Sequence, residues 1–586
     1  MKRSGIQKFF GSGALLGVMA MLAFGISPAG AKEPQPKTPR VVAKDYRAAV
    51  VFKGTPLRGS NGMNFDAAGR LLVTHVMSSR VSRINIDTGE IETLVDHDRG
   101  LRGADDITTD NNGAIFTSNM AGVGGESVFR IDPDGSVTAI YSGIVATNGI
   151  QFNRRTGRLF VDQAFVGGGI YELDPKGLKP PRLVSSEFPM AKSMDFDLDN
   201  NLLVVVPGSK PGVAVIDPDT GKSSSLGLEL PRVGAVKMGP KGEIFMTGGS
   251  GAYKITADRK QVITLYSDKS THFDNLAVSA EGRLFASSGF HATVYEIATD
   301  GSGKILRTFS PHGLPNVSSL AARGNDLYVS DTHVLHQVDL KTGTLTHLVG
   351  LGTGKGSGSS GFLVGYAHAG PNNLMYAINT VGYAASEQAS LPVYSINPDT
   401  LEIKNVNRSP RQGLHFPTAI YTSAADEFVY ATEFLRGQIE AVPVNDDQLK
   451  RRTVAKNLSG PNGIVKKDGK LYIAESLGQR ISVVDLSTGR QDVLRSAGVG
   501  RPSAIDLHKD GDLLVLDSEG RRLLKINTVN AQVSVIAENL PIYPNVFSNW
   551  PLVQVPNGLA VTDDGAIYVG GNDDGSIWKF TSTAKR

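Results

Sequence analysis

A five-residue pattern, polar at its start and then alternately apolar, recurs every forty-odd residues along this chain and constrains the fold more than any other feature. Residues 147–173, TNGIQFNRRTGRLFVDQAFVGGGIYEL, show it best. Asn148-Gly149 opens a strand with Ile150 and Phe152 on one face, and Arg155-Thr156-Gly157 turns it. Leu159, Phe160 and Val161 form a second strand, and a glycine-rich loop leads to a third at Ile170, Tyr171 and Leu173. Period-two alternation bounded by Gly, Asn and Asp turns predicts short antiparallel strands.

Aligned copies begin at NGMNF (61), DDITT (105), NGIQF (148), KSMDF (192), GAVKM (234) and DNLAV (274). Looser copies follow at NVSSL (316), a degenerate one near 363, TAIYT (418), NGIVK (462), SAIDL (503) and NGLAV (557). Four short strands every ~40–45 residues is the signature of a β-propeller blade. Helical solenoids repeat at similar periods but need 3.6-residue apolar spacing, which is missing here. Twelve blades exceed the usual ring of about four to eight. The expected fold is therefore all-β, with two consecutive six-bladed β-propellers.

The last copy lacks a fourth strand, whereas an orphan strand, RAAVVFKG (47–54), precedes the first. If that orphan closes the first ring, KILRTF (304–309) is freed to close the second, and neither ring keeps an open edge. The expected boundaries are an N-terminal propeller over 47–300 and a C-terminal propeller over 301–586. The second ring carries insertions at 352–361, 380–392 and 539–556, loops of the kind that shape a binding face.

Ahead of the rings, Lys2, Arg3 and Lys8 precede an apolar run at 13–25 and the small-x-small sequence Ala29-Gly30-Ala31. This reads as a signal peptide over 1–31, followed by a disordered leader over 32–46. The apolar run is shorter than the ~20 residues of a spanning helix. The expectation is a periplasmic or secreted protein, with no membrane partner after cleavage. A net charge of +3 and the lack of a basic block interleaved with aromatics argue against nucleic acid. With no cysteine, disulfides, thiolate metal sites and a cysteine nucleophile are excluded.

In a propeller the first strand of each blade lines the central channel, so the residues that start these strands converge at one mouth. In the first ring these are Asn61, Asp105, Asn148, Lys192, Gly234 and Asp274, with Asp106 and Asn275 one place along. Asn61, Asp105, Asn148 and Asp274 form a set of hard oxygen donors suited to Ca²⁺ or Mg²⁺. The competing reading is that NG and DN only make turns, and that Lys192 supplies the neutralising charge. The second ring offers Asn316, Thr418, Asn462, Ser503 and Asn557, a poor metal site but a reasonable polar channel. No G-x-S-x-G elbow or phosphate loop is present.

The NG-x-x-F…G-x-L-F/Y-V pattern and the six-blade count resemble the SMP-30/gluconolactonase/LRE-like superfamily and its NHL-repeat relatives. The resemblance implies a divalent ion on the axis that polarises a lactone or ester carbonyl. Asn148 matches the family's NG asparagine and Asp274 its later aspartate. Asn61 stands where the family's first-blade Glu-Gly-Pro motif is absent. On this reading Asp274 or Asp105 is the catalytic base, and His272 or His291 shuttles protons near neutral pH. A small-molecule substrate would sit at the mouth of the N-terminal propeller. The alternative is a non-catalytic NHL-type scaffold for a protein or glycan partner.

Overall fold

The computed structural model describes residues 38–584 apart from 121–124, 165–167, 189–190, 207–211, 232, 269–270, 290, 311–312, 315–316, 325, 332–333, 350–365, 379–391, 407–413, 415–416, 424, 445–449 and 543–556. The signal-peptide reading (1–31) and Asn316 lie outside the described residues. The described chain forms twelve antiparallel sheets, each built around one copy of the repeat. No helix among the described residues is long and apolar enough to cross a membrane.

The innermost strands of blades 1–6 are Ser60–Phe65, Ala104–Thr109, Thr147–Asn153, Met194–Phe196, Ala235–Met238 and Leu276–Val278. Each packs on the next, and the sixth packs on the first, so the N-terminal ring closes at six blades. Blades 7–12 start at Ser319–Arg323, Tyr366–Ala369, Pro417–Tyr421, Pro461–Lys467, Pro502–Leu507 and Leu559–Val561, and they close in the same way. The degenerate eighth copy is thus a complete blade, running from Tyr366 to Asn405.

The turns are built by the repeat's own polar residues. In the first hairpins Asp66, Asp110 and Asp197 each accept backbone N–H bonds from residues two and four places on. In the later hairpins Asn85, Asp217, Asp339, Asn397, Asp485 and Asn527 accept from residues two and three places on. Asx side chains that mimic a backbone turn give tight, register-fixing connections. Between the turns the strands bury apolar faces against neighbouring blades; Met63, Leu71 and Val73 of blade 1, for example, meet Phe285, Val294 and Phe309 of blade 6.

The closing strands are exchanged relative to the expectation. Tyr46–Phe52 pairs antiparallel with Ile577–Ser582, from Tyr46 opposite Ser582 to Phe52 opposite Ile577, and so completes blade 12 of the C-terminal ring. Ile305–Phe309 stays at home, paired with Thr293–Ile297 as the fourth strand of blade 6. Residues 47–52 therefore belong with the C-terminal ring and 305–309 with the N-terminal ring. The local hairpin at Asp300–Gly303 closes a much shorter loop than a swap would, which favours blade 6 keeping its own strand. Val51 and Phe52 bury against Leu320, Leu327 and Ile577 of the C-terminal ring.

The leader is also ordered from Thr38 onward. Arg40–Val41 adds a fifth strand to blade 11, opposite Glu538 and Ala537. Asn539 Nδ2 donates to the Thr38 carbonyl at 3.0 Å, and Tyr46 Oη lies 3.0 Å from His508 Nε2. The unpaired edge of Val533–Glu538 supplies the backbone partners that composition alone does not reveal.

Where the chain passes from the closing strand into blade 1, Arg58 is fully buried and donates from Nη1 to the Asn572 carbonyl at 2.6 Å. Arg80 and His97 face Asp573 at 3.6 and 3.7 Å, and Arg521 donates to Asp98 at 2.8 Å. Burial, with Arg80 alongside, lowers the Arg58 guanidinium to about 9. These charges knit the two rings together beside the crossing strand.

Trp578 lies opposite Val50 on the strand that Tyr46–Phe52 covers. In a Trp550→Phe background it is the only tryptophan. Deleting residues 38–53 is expected to red-shift Trp578 emission and lower its thermal transition by roughly 10 °C or more. An unchanged Trp578 transition would show that this strand does not close the C-terminal ring.

Candidate functional site on the axis of the N-terminal ring

The aligned first positions do meet at this axis. Asn61 donates from Nδ2 to Asp105 Oδ1 at 2.8 Å, joining blades 1 and 2. Asp105 is buried, whereas Asp274 is exposed at the mouth. Burial, then the nearby carboxylates of Asp274, Asp106 and Asp162, raise the Asp105 carboxyl well above its ordinary range, with Lys192 opposing them. Five ionisable groups from blades 2, 3, 4 and 6 thus share one small region.

One place along, Asp106 is a structural group. Its Oδ1 accepts from Ile107 N at 2.9 Å and from Asn275 Nδ2 at 3.2 Å, and its Oδ2 accepts from Ile150 N at 3.2 Å. The Asn275 bond crosses from blade 6 to blade 2, skipping blade 1. Close approach there requires Gly62, whose missing Cβ would fall 2.4 Å from Asp106 Cα. Burial raises Asp106 while Lys237 lowers it, and the Lys237 ammonium donates to Gln151 Oε1 and the Met194 carbonyl at 3.1 and 3.2 Å.

Asn148 sits at the mouth with Nδ2 3.5 Å from Met120 Sδ. Asp162 and Lys237 escape an alignment of strand starts, because one comes from a second strand and the other lies inside a first strand. The available signal for Asp162 is a carboxylate directly after the apolar run Leu159-Phe160-Val161.

His272 and His291 come together elsewhere. Both are half-buried, and burial lowers His291, whose charged neighbours are Asp331, His272 and His336. Asp331 and His336 belong to blade 7, so this pair looks toward the other ring, where His336 Nε2 lies 2.7 Å from Asp331 Oδ2. Neither histidine is among the groups acting on Asp105. Of the other loop histidines, His312, His333 and His415 lie outside the described residues.

Among the described residues, no three His, Cys, Asp or Glu side chains are disposed to hold one metal ion. A hard cation here would rest on a mixed set, the carboxylates of Asp105 and Asp274 with the amide oxygens of Asn61 and Asn148. The donor chemistry fits, because a divalent ion relieves the mutual repulsion that raises Asp105.

The axis of the C-terminal ring is uncharged at the aligned positions. Thr418 Oγ1 meets Thr432 Oγ1 at 2.9 Å, Asn557 donates to Ser503 Oγ at 2.7 Å, and Asn462 is fully buried. Asp506 staples blade 11 to blade 12 by accepting from Leu507 N and Val561 N at 2.7 and 3.0 Å.

The protein is a double β-propeller with a polar, carboxylate-rich axis in its N-terminal ring. Residues 35–222, which take in blades 1 to 4 of the N-terminal ring, match the SMP-30/Gluconolactonase/LRE-like region. A gluconolactonase from Zymomonas mobilis subsp. mobilis is 24% identical over 188 residues, covering 28% of this chain and 52% of the relative. The chain therefore spans about half the length of the curated relative it matches. Among solved structures, a streptogramin B lyase is similar with a TM-score of 0.33 and 16% identity over 52% of this chain and 92% of that one. A catalytically inactive virginiamycin B lyase from Staphylococcus aureus with quinupristin gives 0.33 and 18% over 52% and 93%.

Burial raises Asp506 to about 7, so the folded chain keeps a proton there that the unfolded chain releases near 4. Its contribution to stability is complete below about pH 4 and is lost as pH rises toward 7. The melting-temperature difference between the wild type and Asp506→Asn should therefore shift against the wild type from pH 4 to 7 and stay constant above. Thermal scans across that range decide it; a shift in favour of the wild type would refute the assignment.

Proposed function

We propose that the N-terminal ring is a divalent-metal-dependent hydrolase of a lactone or ester, gluconolactonase-like in its chemistry. The observation that carries this reading is the convergence of Asp105 and Asp274, with Asn61 bonded to Asp105, in the ring whose first four blades are similar to that superfamily. Asp105, Asp274, Asn61 and Asn148 would hold Ca²⁺ or Mg²⁺. Such an ion, when bound, polarises a carbonyl and lowers the pKa of water.

The chain's own residues supply the rest. Asp274 is the exposed carboxylate of the set, placed to orient an attacking water and accept its proton. The Lys192 ammonium, at the same mouth, stabilises negative charge developing on the carbonyl oxygen. His291 is assigned no part in this step, because its charged neighbours are His272 and, in blade 7, Asp331 and His336. Export follows from the basic start, apolar run and small-x-small site of residues 1–31.

Lys192 also favours a second reading. A side-chain cation beside Asp105 and Asp162 neutralises the cluster without an ion, as suits a non-catalytic NHL-type scaffold.

Metal content by mass spectrometry, read with hydrolysis of a panel of sugar lactones and aryl esters, separates the two. The hydrolase reading expects one bound ion per chain, lost in Asn148→Ala/Asp274→Ala, and turnover reduced ~100-fold or more in Asp274→Ala. No bound metal after equilibration with Ca²⁺ and Mg²⁺, together with no hydrolysis, sinks it in favour of the scaffold.

A further inference from the structure

In blades 1, 2 and 6 of the N-terminal ring the second strand carries a hydroxyl that stitches the blade to the next. In blade 2, Ser118 Oγ accepts from Asp106 N at 2.9 Å and donates to the Asn148 carbonyl of blade 3. In blade 6, Ser287 Oγ accepts from Asn275 N at 3.0 Å and donates to the Asn61 carbonyl of blade 1 at 2.6 Å. In blade 1, Thr74 Oγ1 donates to the Asp105 carbonyl of blade 2. In blades 2 and 6 the hydroxyl accepts a hydrogen bond from its own blade's backbone N–H, and in all three blades it donates to the carbonyl of the next blade's axis residue. In blade 4 the place is apolar, Val205, and in blade 5 the Thr247 hydroxyl finds no partner.

Blade 3 puts Asp162 there. Oδ1 does the accepting half, from Gly149 N at 2.9 Å. Oδ2 is fully buried and accepts no hydrogen bond. It sits at the stitch, since a Cβ on Gly149 would lie 2.6 Å from Asp162 Oδ2, 2.8 Å from Ser193 Cα and 3.2 Å from Ser193 N. The peptide at that point joins Lys192 to Ser193. By the repeat, the Lys192 carbonyl is the acceptor that Oδ2 should serve, and a carboxylate oxygen without a proton has nothing to donate.

We propose that Asp162 is a protonated carboxylic acid in the folded protein at neutral pH, donating from Oδ2 to the Lys192 carbonyl and so positioning Lys192 at the ring-one mouth. It is a positioning residue, acting on the site through Lys192. Among its surroundings burial is the main influence raising Asp162, with Asp106 of blade 2 adding to it, while the Gly149 N–H and the Lys192 ammonium of blade 4 oppose it. Its importance for turnover rests on the hydrolase reading above; its protonation does not.

The test compares Asp162→Asn, Asp162→Ser and Asp162→Ala in the full chain. Asn keeps one acceptor and one donor, and Ser restores the side chain found in blades 2 and 6. Both are expected to melt within a few degrees of the wild type, while Ala, which removes the acceptor of the buried Gly149 N–H, melts clearly lower. Infrared difference spectra at neutral pH should show a protonated carboxylic C=O band that disappears in Asp162→Asn. If Asp162 is ionised instead, that band is unaffected and Asn is as damaging as Ala, which overturns the proposal. Where lactone turnover is found, Ala should lower kcat by about tenfold or more while Asn and Ser keep it. Absence of turnover in the wild type counts against the hydrolase reading alone, and the infrared and thermal results still decide the state of Asp162.

Discussion

A ring of sheets is stable only if its last blade is finished, because an open edge leaves a row of backbone groups unpaired. The two rings of this chain meet that demand differently. The N-terminal ring finishes each blade from its own segment and joins blade 6 to blade 1 through side chains, with Arg283 and Arg307 reaching Asp87 and the Ile86 carbonyl. The C-terminal ring completes blade 12 with Tyr46–Phe52, a strand that precedes the first ring in sequence. Loop-closure entropy grows only logarithmically with length, so the intervening residues add little to what a shorter loop would cost. The consequence is structural dependence in one direction. The N-terminal ring contains everything it needs, while the C-terminal ring is incomplete until a strand that precedes the first ring is delivered to it.

That asymmetry explains which parts of the fold were legible. Blade number and blade boundaries follow from local alternation and Asx turns, and they could be read even for the degenerate eighth copy. The pairing of the closing strands could not. RAAVVFKG and KILRTF have equivalent patterns, and either assignment leaves no edge exposed. The choice is made by the short hairpin between Ile297 and Ile305 and by the apolar pocket that receives Val51 and Phe52, both properties of the assembled sheets. The leader misled for a similar reason: Pro and Lys make residues 32–45 read as disordered, yet Arg40–Val41 finds a ready edge on blade 11.

The site was legible in one dimension only. Aligning strand starts brought Asn61, Asp105, Asn148, Lys192 and Asp274 to one axis, because a ring maps equivalent positions onto equivalent places. It did not reveal Asp162, which reaches the same region from a second strand. Nor did it place His272 and His291, whose nearness to Asp274 in sequence says nothing of blade 7, where Asp331 and His336 shape their surroundings.

Carboxylates on these axes divide by what satisfies their oxygens. Asp106, Asp195 and Asp506 each take a backbone N–H from their own strand on one oxygen and another from the neighbouring blade on the other. With both oxygens committed across a blade junction, they staple the ring and offer nothing to a ligand. Asp105 has one amide partner, and Asp274 opens to solvent. Asp162 has one backbone partner and one buried oxygen at a place where its neighbours have hydroxyls. The same residue type, repeated around one axis, is therefore structural where both oxygens are bonded and chemically available where one is not. That rule selects Asp105, Asp274 and Asp162 from the cluster without reference to any relative.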